Sequence, residues 1–173
     1  MRGRFALFCA LVVLPLIAGC ESGTQGAATP SSVSPEALFD SCTLPDEAIR
    51  AAGADPESRD DNPFGVPRTG WRGCLWVGDR WAMRVFATTE PANSFRANSY
   101  FREFRSVDLN GRVATSFIQG DENPPGNCTI FFPSRQGTIE VYISKDVDLP
   151  ALNDPCGLTL RATRALDPWL PKD

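Results

Sequence analysis

The residue types that carry chemistry are unevenly represented in this chain of 173 residues, which has six cysteines and no histidine. Without an imidazole there is no Ser-His or Cys-His nucleophile and no histidine metal ligand. No P-loop, glycine-rich dinucleotide turn or nucleophile elbow is present. The net charge is −4, which argues against the basic surface that a protein needs to bind nucleic-acid phosphates. We therefore expect no nucleic-acid partner, no cofactor and no metal, and we predict that the protein is not an enzyme.

The first two cysteines lie in an N-terminal export signal. Arg2 and Arg4 precede an apolar run over residues 5–17, which is shorter than the roughly 20 residues that a membrane-spanning helix needs. The motif Ile17-Ala18-Gly19-Cys20 resembles the bacterial lipobox. That resemblance implies cleavage after residue 19 and a diacylglycerol thioether on Cys20. The expected location is the extracytoplasmic face of the cell membrane, with the lipid as anchor.

A tether and one folded domain follow the predicted signal peptide of residues 1–19. Residues 20–34 hold the lipidated cysteine and a stretch rich in Gly, Ser, Thr and Ala. Such a flexible chain has an r.m.s. reach of about 20 Å. An acidic domain repels anionic headgroups, so the acyl chains would hold it to the membrane. Residues 35–173 are expected to form a single domain.

Alternating apolar residues predict three β-hairpins in this domain. Helix signals begin at Thr43 and at Asp154-Pro155, and a short helix is expected over residues 89–98. Residues 54–70, rich in proline, glycine and acids, predict an irregular surface segment. The fold class is α+β: a mainly antiparallel sheet of about six strands with helices packed on one face.

Four cysteines remain for the folded domain: Cys42, Cys74, Cys128 and Cys156. An even number in an exported chain indicates two disulfides, and four cysteines allow three connectivities. We favour Cys42–Cys74 and Cys128–Cys156, because each pair would link the start of a helix to a strand. Loops of roughly 30 residues closed in this way contribute about 3–4 kcal/mol each. No C-x-x-C spacing indicates redox chemistry or a structural metal.

The residues around these cysteines resemble a known family. The motifs are Phe39-Asp40-Ser41-Cys42-Thr43-Leu44, Gly70-Trp71-Arg72-Gly73-Cys74-Leu75-Trp76, Gly111-Arg112 and Asp154-Pro155-Cys156. Together with the lipobox they resemble a family of actinobacterial cell-envelope lipoproteins catalogued as a domain of unknown function. That family usually has proline where this chain has Ser41. The resemblance implies anchoring and disulfides, and it brings no activity or catalytic residue.

Acidic clusters occur at residues 55–57, 60–62 and 121–123. We interpret them as solvated loop acids, because no EF-hand spacing is present; a weak calcium site is the alternative. A pair of carboxylates suited to glycoside hydrolysis stays open as the route to an envelope enzyme.

Aromatic residues are concentrated between positions 71 and 117 of the sequence. They are Trp71, Trp76, Trp81, Phe86, Phe95, Tyr100, Phe101, Phe104 and Phe117. They could fill the core, line an apolar pocket for a lipid, or form an exposed surface for an envelope-protein partner. The preferred contact surface is Trp71, Trp76 and Trp81. We thus predict a non-catalytic binding or scaffolding module of the cell envelope; the alternative is an enzyme using carboxylate chemistry.

Overall fold

The computed structural model describes residues 33–146 and 148–172. The predicted signal peptide, the lipobox with Cys20 and most of the predicted tether lie outside these residues. Within the part of the chain that is described, no helix is both long and apolar enough to cross a bilayer. The described residues belong to one compact unit.

Seven antiparallel strands form one sheet in the order β1-β2-β3-β7-β6-β5-β4. Their bounds are β1 Ala54–Asp60, β2 Trp71–Gly78, β3 Trp81–Thr88, β4 Phe101–Leu109, β5 Arg112–Gln119, β6 Asn127–Ser134 and β7 Gly137–Lys145. The predicted antiparallel sheet and its three hairpins are confirmed. The β4–β5 turn has positive φ at Asn110 (52°) and Gly111 (92°), which an Asn-Gly turn tolerates.

The strand count is seven rather than about six, because β1 lies in the segment expected to be irregular. β1 is an edge strand that pairs only with β2. Ala54 is its one buried residue, and the register shifts between Asp55 and Asp60. An edge strand with so little buried surface has no apolar alternation, and Pro56 is tolerated there because an edge leaves some N–H groups unpaired.

Two α-helices, α1 Asp46–Ala51 and α2 Pro155–Leu166, pack on one face of the sheet. We call this the helix face; its central rows pair Met83 with Ile143, Val85 with Val141, and Ala87 with Ile139. The Asp154 carboxylate caps α2 by accepting a hydrogen bond from the Gly157 N–H at 2.8 Å. The first helix begins later than predicted, because Thr43 ends a separate 3₁₀ turn, Ser41–Thr43.

The opposite face of the sheet, which we call the cleft face, carries Trp71, Phe86, Phe117, Phe131 and Glu140. The helix predicted over residues 89–98 is a 3₁₀ turn, Ser94–Ala97, and it packs on this face rather than with the α-helices. The two α-helices therefore share one face, as predicted, whereas the third helical segment does not.

Both preferred disulfides are confirmed. Cys42–Cys74 joins the turn before α1 to β2, with the Cα atoms 5.2 Å apart. Cys128–Cys156 joins β6 to the first turn of α2, with a Cα separation of 5.0 Å. Each bond therefore holds a helical segment against the sheet.

Candidate functional site

A cleft of about 430 Å³ opens on the cleft face of the sheet. Its lining comes from the loop before β2, from the first residues of β2 and β4, from β3, from the segment around the Ser94–Ala97 turn, and from β5 and β7. Pockets of this size suit small organic ligands.

The first wall is a cluster of three aromatic rings. Phe64, from the loop before β2, stacks on Phe86 of β3 with ring centroids 4.6 Å apart. Trp71 meets both rings edge-on, at 5.8 Å from Phe64 and 5.9 Å from Phe86. Gly73 permits this arrangement, because a Cβ at that position would come within 2.5 Å of the Phe86 ring. The wall therefore depends on glycine at position 73 of β2.

The second wall is formed by phenylalanines around the Ser94–Ala97 turn. Phe95 stacks over Phe131 of β6 at 5.0 Å and lies 6.0 Å from Phe101 at the start of β4. Phe117 of β5 supports Phe101 from behind at 4.6 Å. Aromatic pairs at these distances stabilise one another beyond their buried area. The cleft thus has two aromatic sides held by different strands.

The floor carries an unpaired carboxyl group. Glu140 of β7 lies in register between Phe86 of β3 and Phe131 of β6, and it is only 3% exposed. Its Oε1 atom has no hydrogen-bond partner. Burial raises the pKa of this carboxyl group from 4.5 to about 8, and the charge of Arg68 opposes the rise only in part. At pH 7 the group is therefore mainly protonated and neutral.

Two guanidinium groups line the same cleft. Arg68 lies over the Trp71 ring at 4.3 Å and over Phe64 at 5.5 Å. Arg84, half-buried in β3, lies 5.5 Å from the Tyr142 ring centroid and donates a hydrogen bond to Ser144 Oγ at 3.2 Å. Stacking on aromatic faces stabilises both cations and leaves most of their N–H donors available.

Two buried threonines hold the loops that carry the walls. The Thr88 hydroxyl donates to the Gly70 carbonyl at 2.9 Å and accepts from the Glu90 N–H at 3.2 Å. Thr138 of β7 donates to the Glu90 carbonyl at 2.7 Å. Buried hydroxyls paired in this way fix the loop geometry, because breaking either hydrogen bond would leave a buried polar group without a partner. The two threonines therefore position the loop before β2 and the segment after β3.

The predicted contact tryptophans do not come together. Trp71 lines the cleft, whereas Trp76 and Trp81 are buried on the helix face at 1% and 8% exposure. The acidic clusters form no site: among the described residues, no group of three or more Cys, Asp or Glu is placed to hold a metal ion. Asp55 and Asp60 each accept a hydrogen bond from the backbone N–H two residues later in the chain.

Sequence reasoning missed several cleft residues, among them the charged Arg68, Arg84 and Glu140 and the aromatic Phe64 and Tyr142. A weak signal exists in β7, where one carboxylate interrupts a strand that otherwise contains mainly apolar and hydroxyl side chains. Arg84 is likewise the one charged residue of β3. Nothing in the sequence indicates that these strands are neighbours.

The comparisons with known proteins address the family rather than the cleft. No curated protein and no solved structure matches the chain. A family model described as "Protein of unknown function (DUF3558)" matches residues 15–168. That match includes all seven strands and both α-helices. The chain therefore belongs to the DUF3558 family.

Proposed function

We propose that this protein is a lipid-anchored extracytoplasmic binding protein whose cleft holds a small molecule without transforming it. The observation that carries the proposal is the buried Glu140 carboxyl group, with an unpartnered Oε1, at the floor of an aromatic cleft. Buried polar side-chain atoms are nearly always paired in native proteins. An exception inside a cleft of about 430 Å³ favours a ligand that supplies the missing partner.

Anchoring rests on the sequence motifs at the N-terminus. The lipobox ending in Cys20 follows a positively charged segment and a short apolar run. Acyl chains on one residue, together with a tether of about 20 Å reach, would keep the domain close to the membrane. Paired half-cystines fit the oxidising environment outside the cytoplasm.

Catalysis by carboxyl groups is the second candidate. Glu90 at the rim and Glu140 at the floor both line the cleft. A carboxyl group whose pKa is raised to about 8 could act as a general acid near neutral pH. Such an enzyme would release an altered molecule, whereas a binding protein would release the molecule unchanged.

The test is ligand retention by the purified full-length chain. We expect the wild type, after incubation with an envelope extract and washing, to retain a small molecule that native mass spectrometry detects. Trp71→Ala removes part of one wall and should reduce retention about ten-fold. Trp169→Ala changes a tryptophan that is 37% exposed and outside the cleft, and it should retain the molecule like the wild type.

Two results would contradict the proposal. If Trp71→Ala and the wild type retained the molecule equally, the binding site would lie elsewhere. If the wild type retained no molecule, there would be no evidence for a binding site. Circular dichroism of each variant checks that the fold is intact. Recovery of the retained molecule with a changed mass after prolonged incubation would favour the enzyme.

A further inference from the structure

The cleft contains two guanidinium groups that are not engaged in ion pairs. Among the described residues, neither Arg68 nor Arg84 forms an ion pair, although other arginines such as Arg72 and Arg112 do. Arg72 pairs with Asp40 at 2.5 Å and Arg112 pairs with Asp167 at 2.5 Å. The chain as a whole has a net charge of −4, whereas two guanidinium groups outside ion pairs line this one cleft.

The carboxyl groups of the cleft do not cancel this positive charge. Glu140 is buried beside the two phenylalanines and stays mainly neutral at pH 7, so it offers an O–H donor. Glu90 and Arg68 are both exposed, so solvent screens their charges to a similar extent. Arg84 is half-buried, and the buried carboxyl group that lines the cleft with it stays mainly neutral at pH 7. A ligand in the cleft therefore meets two guanidinium groups, Arg68 exposed and Arg84 half-buried, and one neutral donor, Glu140.

We infer that the cleft binds a small amphipathic organic anion, whose carboxylate or phosphate group contacts Arg68 and Arg84 and accepts a hydrogen bond from Glu140. The aromatic or acyl body of this ligand would pack between Phe64 and Trp71 on one side and Phe95 on the other. This inference rests on the proposed binding function and adds the chemical class of the ligand. Guanidinium groups suit such acids because their planar N–H pairs match both carboxylate and phosphate oxygens.

A cationic ligand fits the cleft less well. An ammonium group would be repelled by both guanidinium groups and could pair with Glu140 only after that buried carboxyl group had lost its proton. A neutral ligand would leave both arginines without an ion-pair partner. The charge of the bound molecule is therefore the property that an experiment should vary.

The experiment measures binding of naphthyl probes that share one aromatic body and differ in charge. The probes are 1-naphthoate, 1-naphthyl phosphate, 1-naphthamide and 1-naphthylmethylamine, added to the purified full-length chain and followed by calorimetry. At about pH 6.5 we expect at least one of the two anions to bind about ten-fold more tightly than the amide and the amine. Comparing the two anions distinguishes a carboxylate ligand from a phosphate ligand.

Single substitutions test the residues. Arg84→Gln and Arg68→Gln should each weaken anion binding about five-fold or more, because each removes one positive charge from the cleft. Arg135→Gln changes an exposed arginine in the β6–β7 turn outside the cleft and should leave the affinity unchanged. Binding of the amide should be similar in all these variants.

The pH dependence tests Glu140. The titratable or charged groups that line the cleft with it are Arg68, Arg84, Glu90 and Tyr142. Between about pH 6.5 and pH 9.5 ionisation of Glu140 should weaken anion binding about ten-fold, while Glu140→Gln should show little change. The arginines stay charged over this range, and burial raises the pKa of Tyr142, so neither explains such a loss.

The outcomes separate this inference from the proposed function. If the amine or the amide binds as tightly as both anions, the cleft is a ligand site and the inferred ligand class is wrong. If affinity for the anions rises with pH in the wild type, the role of Glu140 as donor is wrong. If no probe binds and no molecule is retained from the extract, both the inference and the proposed function fail.

Discussion

Glu140 links the stability of the fold to pH, because the burial of its carboxyl group outweighs the attraction of the Arg68 guanidinium. Burial between Phe86 and Phe131 raises its pKa from 4.5 to about 8. Between those two pH values the unfolded chain has released this proton while the folded chain still holds it. The folded state therefore loses stability as pH rises from 4.5 to about 8, and no further contribution is lost at higher pH.

Glu140→Gln removes this ionisation and keeps the shape of the side chain. We expect the variant to become more stable relative to the wild type as pH rises. The difference between their free energies of unfolding should change by on the order of 5 kcal/mol at most. Urea denaturation at several values between about pH 4.5 and pH 8.5 measures the difference. Glu47→Gln, an exposed residue of α1, is the control and should follow the wild type. A difference that stays constant with pH would show that Glu140 ionises freely.

The chemistry of single residues could be predicted only in part from the sequence. Cys42 and its partner Cys74 were predictable, because export and an even cysteine count restrict what a thiol does. Glu140 was not, since one acid within a strand is equally typical of a solvent-facing position. Its environment comes from Phe86 and Phe131, which lie in strands on either side of β7.

At the scale of elements, local sequence patterns predicted the three hairpins, including edge strand β4, and missed edge strand β1. The β4–β5 turn follows from Asn110-Gly111, and α2 follows from Asp154 and Pro155, because in each case adjacent residues determine the backbone. Edge strand β1 and the 3₁₀ turn Ser94–Ala97 depend on distant partners. Phe95 is buried by packing on Phe117 and Phe131, which no local periodicity reveals.

Ser41 strengthens the junction between the turn before α1 and the sheet. Its hydroxyl donates to the Val85 carbonyl at 2.6 Å and accepts from the Cys74 N–H at 3.0 Å, and the side chain is fully buried. A residue without a side-chain hydroxyl at this position would make neither bond. The junction between the first turn and the sheet is therefore held by hydrogen bonds as well as by the disulfide.

The two disulfides should contribute comparably to stability, because they close loops of similar length. Replacing both cysteines of Cys42–Cys74, or both of Cys128–Cys156, with alanine should lower the free energy of unfolding by about 3–4 kcal/mol. Urea denaturation of each double variant measures the loss. A variant lacking both disulfides is the control and should be insensitive to dithiothreitol. A loss below about 1 kcal/mol would show that hydrogen bonds and packing alone hold these junctions.

At the scale of the molecule, the cleft could not be predicted because its parts are far apart in the sequence. Its residues come from the loop with Phe64 and Arg68, from β3, from the segment after it, and from β7. Placing them together requires the strand order, in which β3 pairs with β7 rather than with β4. The sequence indicates aromatic residues in surplus but does not divide them between the two faces of the sheet.

Anchoring through Cys20 is the remaining prediction, and it concerns the whole chain. Cys20→Ala removes the thiol that would form the thioether. We therefore expect that the variant is neither lipidated nor cleaved after residue 19, and that a carbonate wash releases it from the membrane fraction. The apolar run of residues 5–17 is too short to substitute as a stable membrane-spanning helix, which needs roughly 20 residues.

Cys9→Ala is the matched control, because Cys9 lies within that run and has no predicted lipid; this variant should be processed like the wild type. Metabolic labelling with a fatty acid reports lipidation, and the mass of the protein reports cleavage. If Cys20→Ala were still labelled and carbonate-resistant, another residue would have to be the anchor.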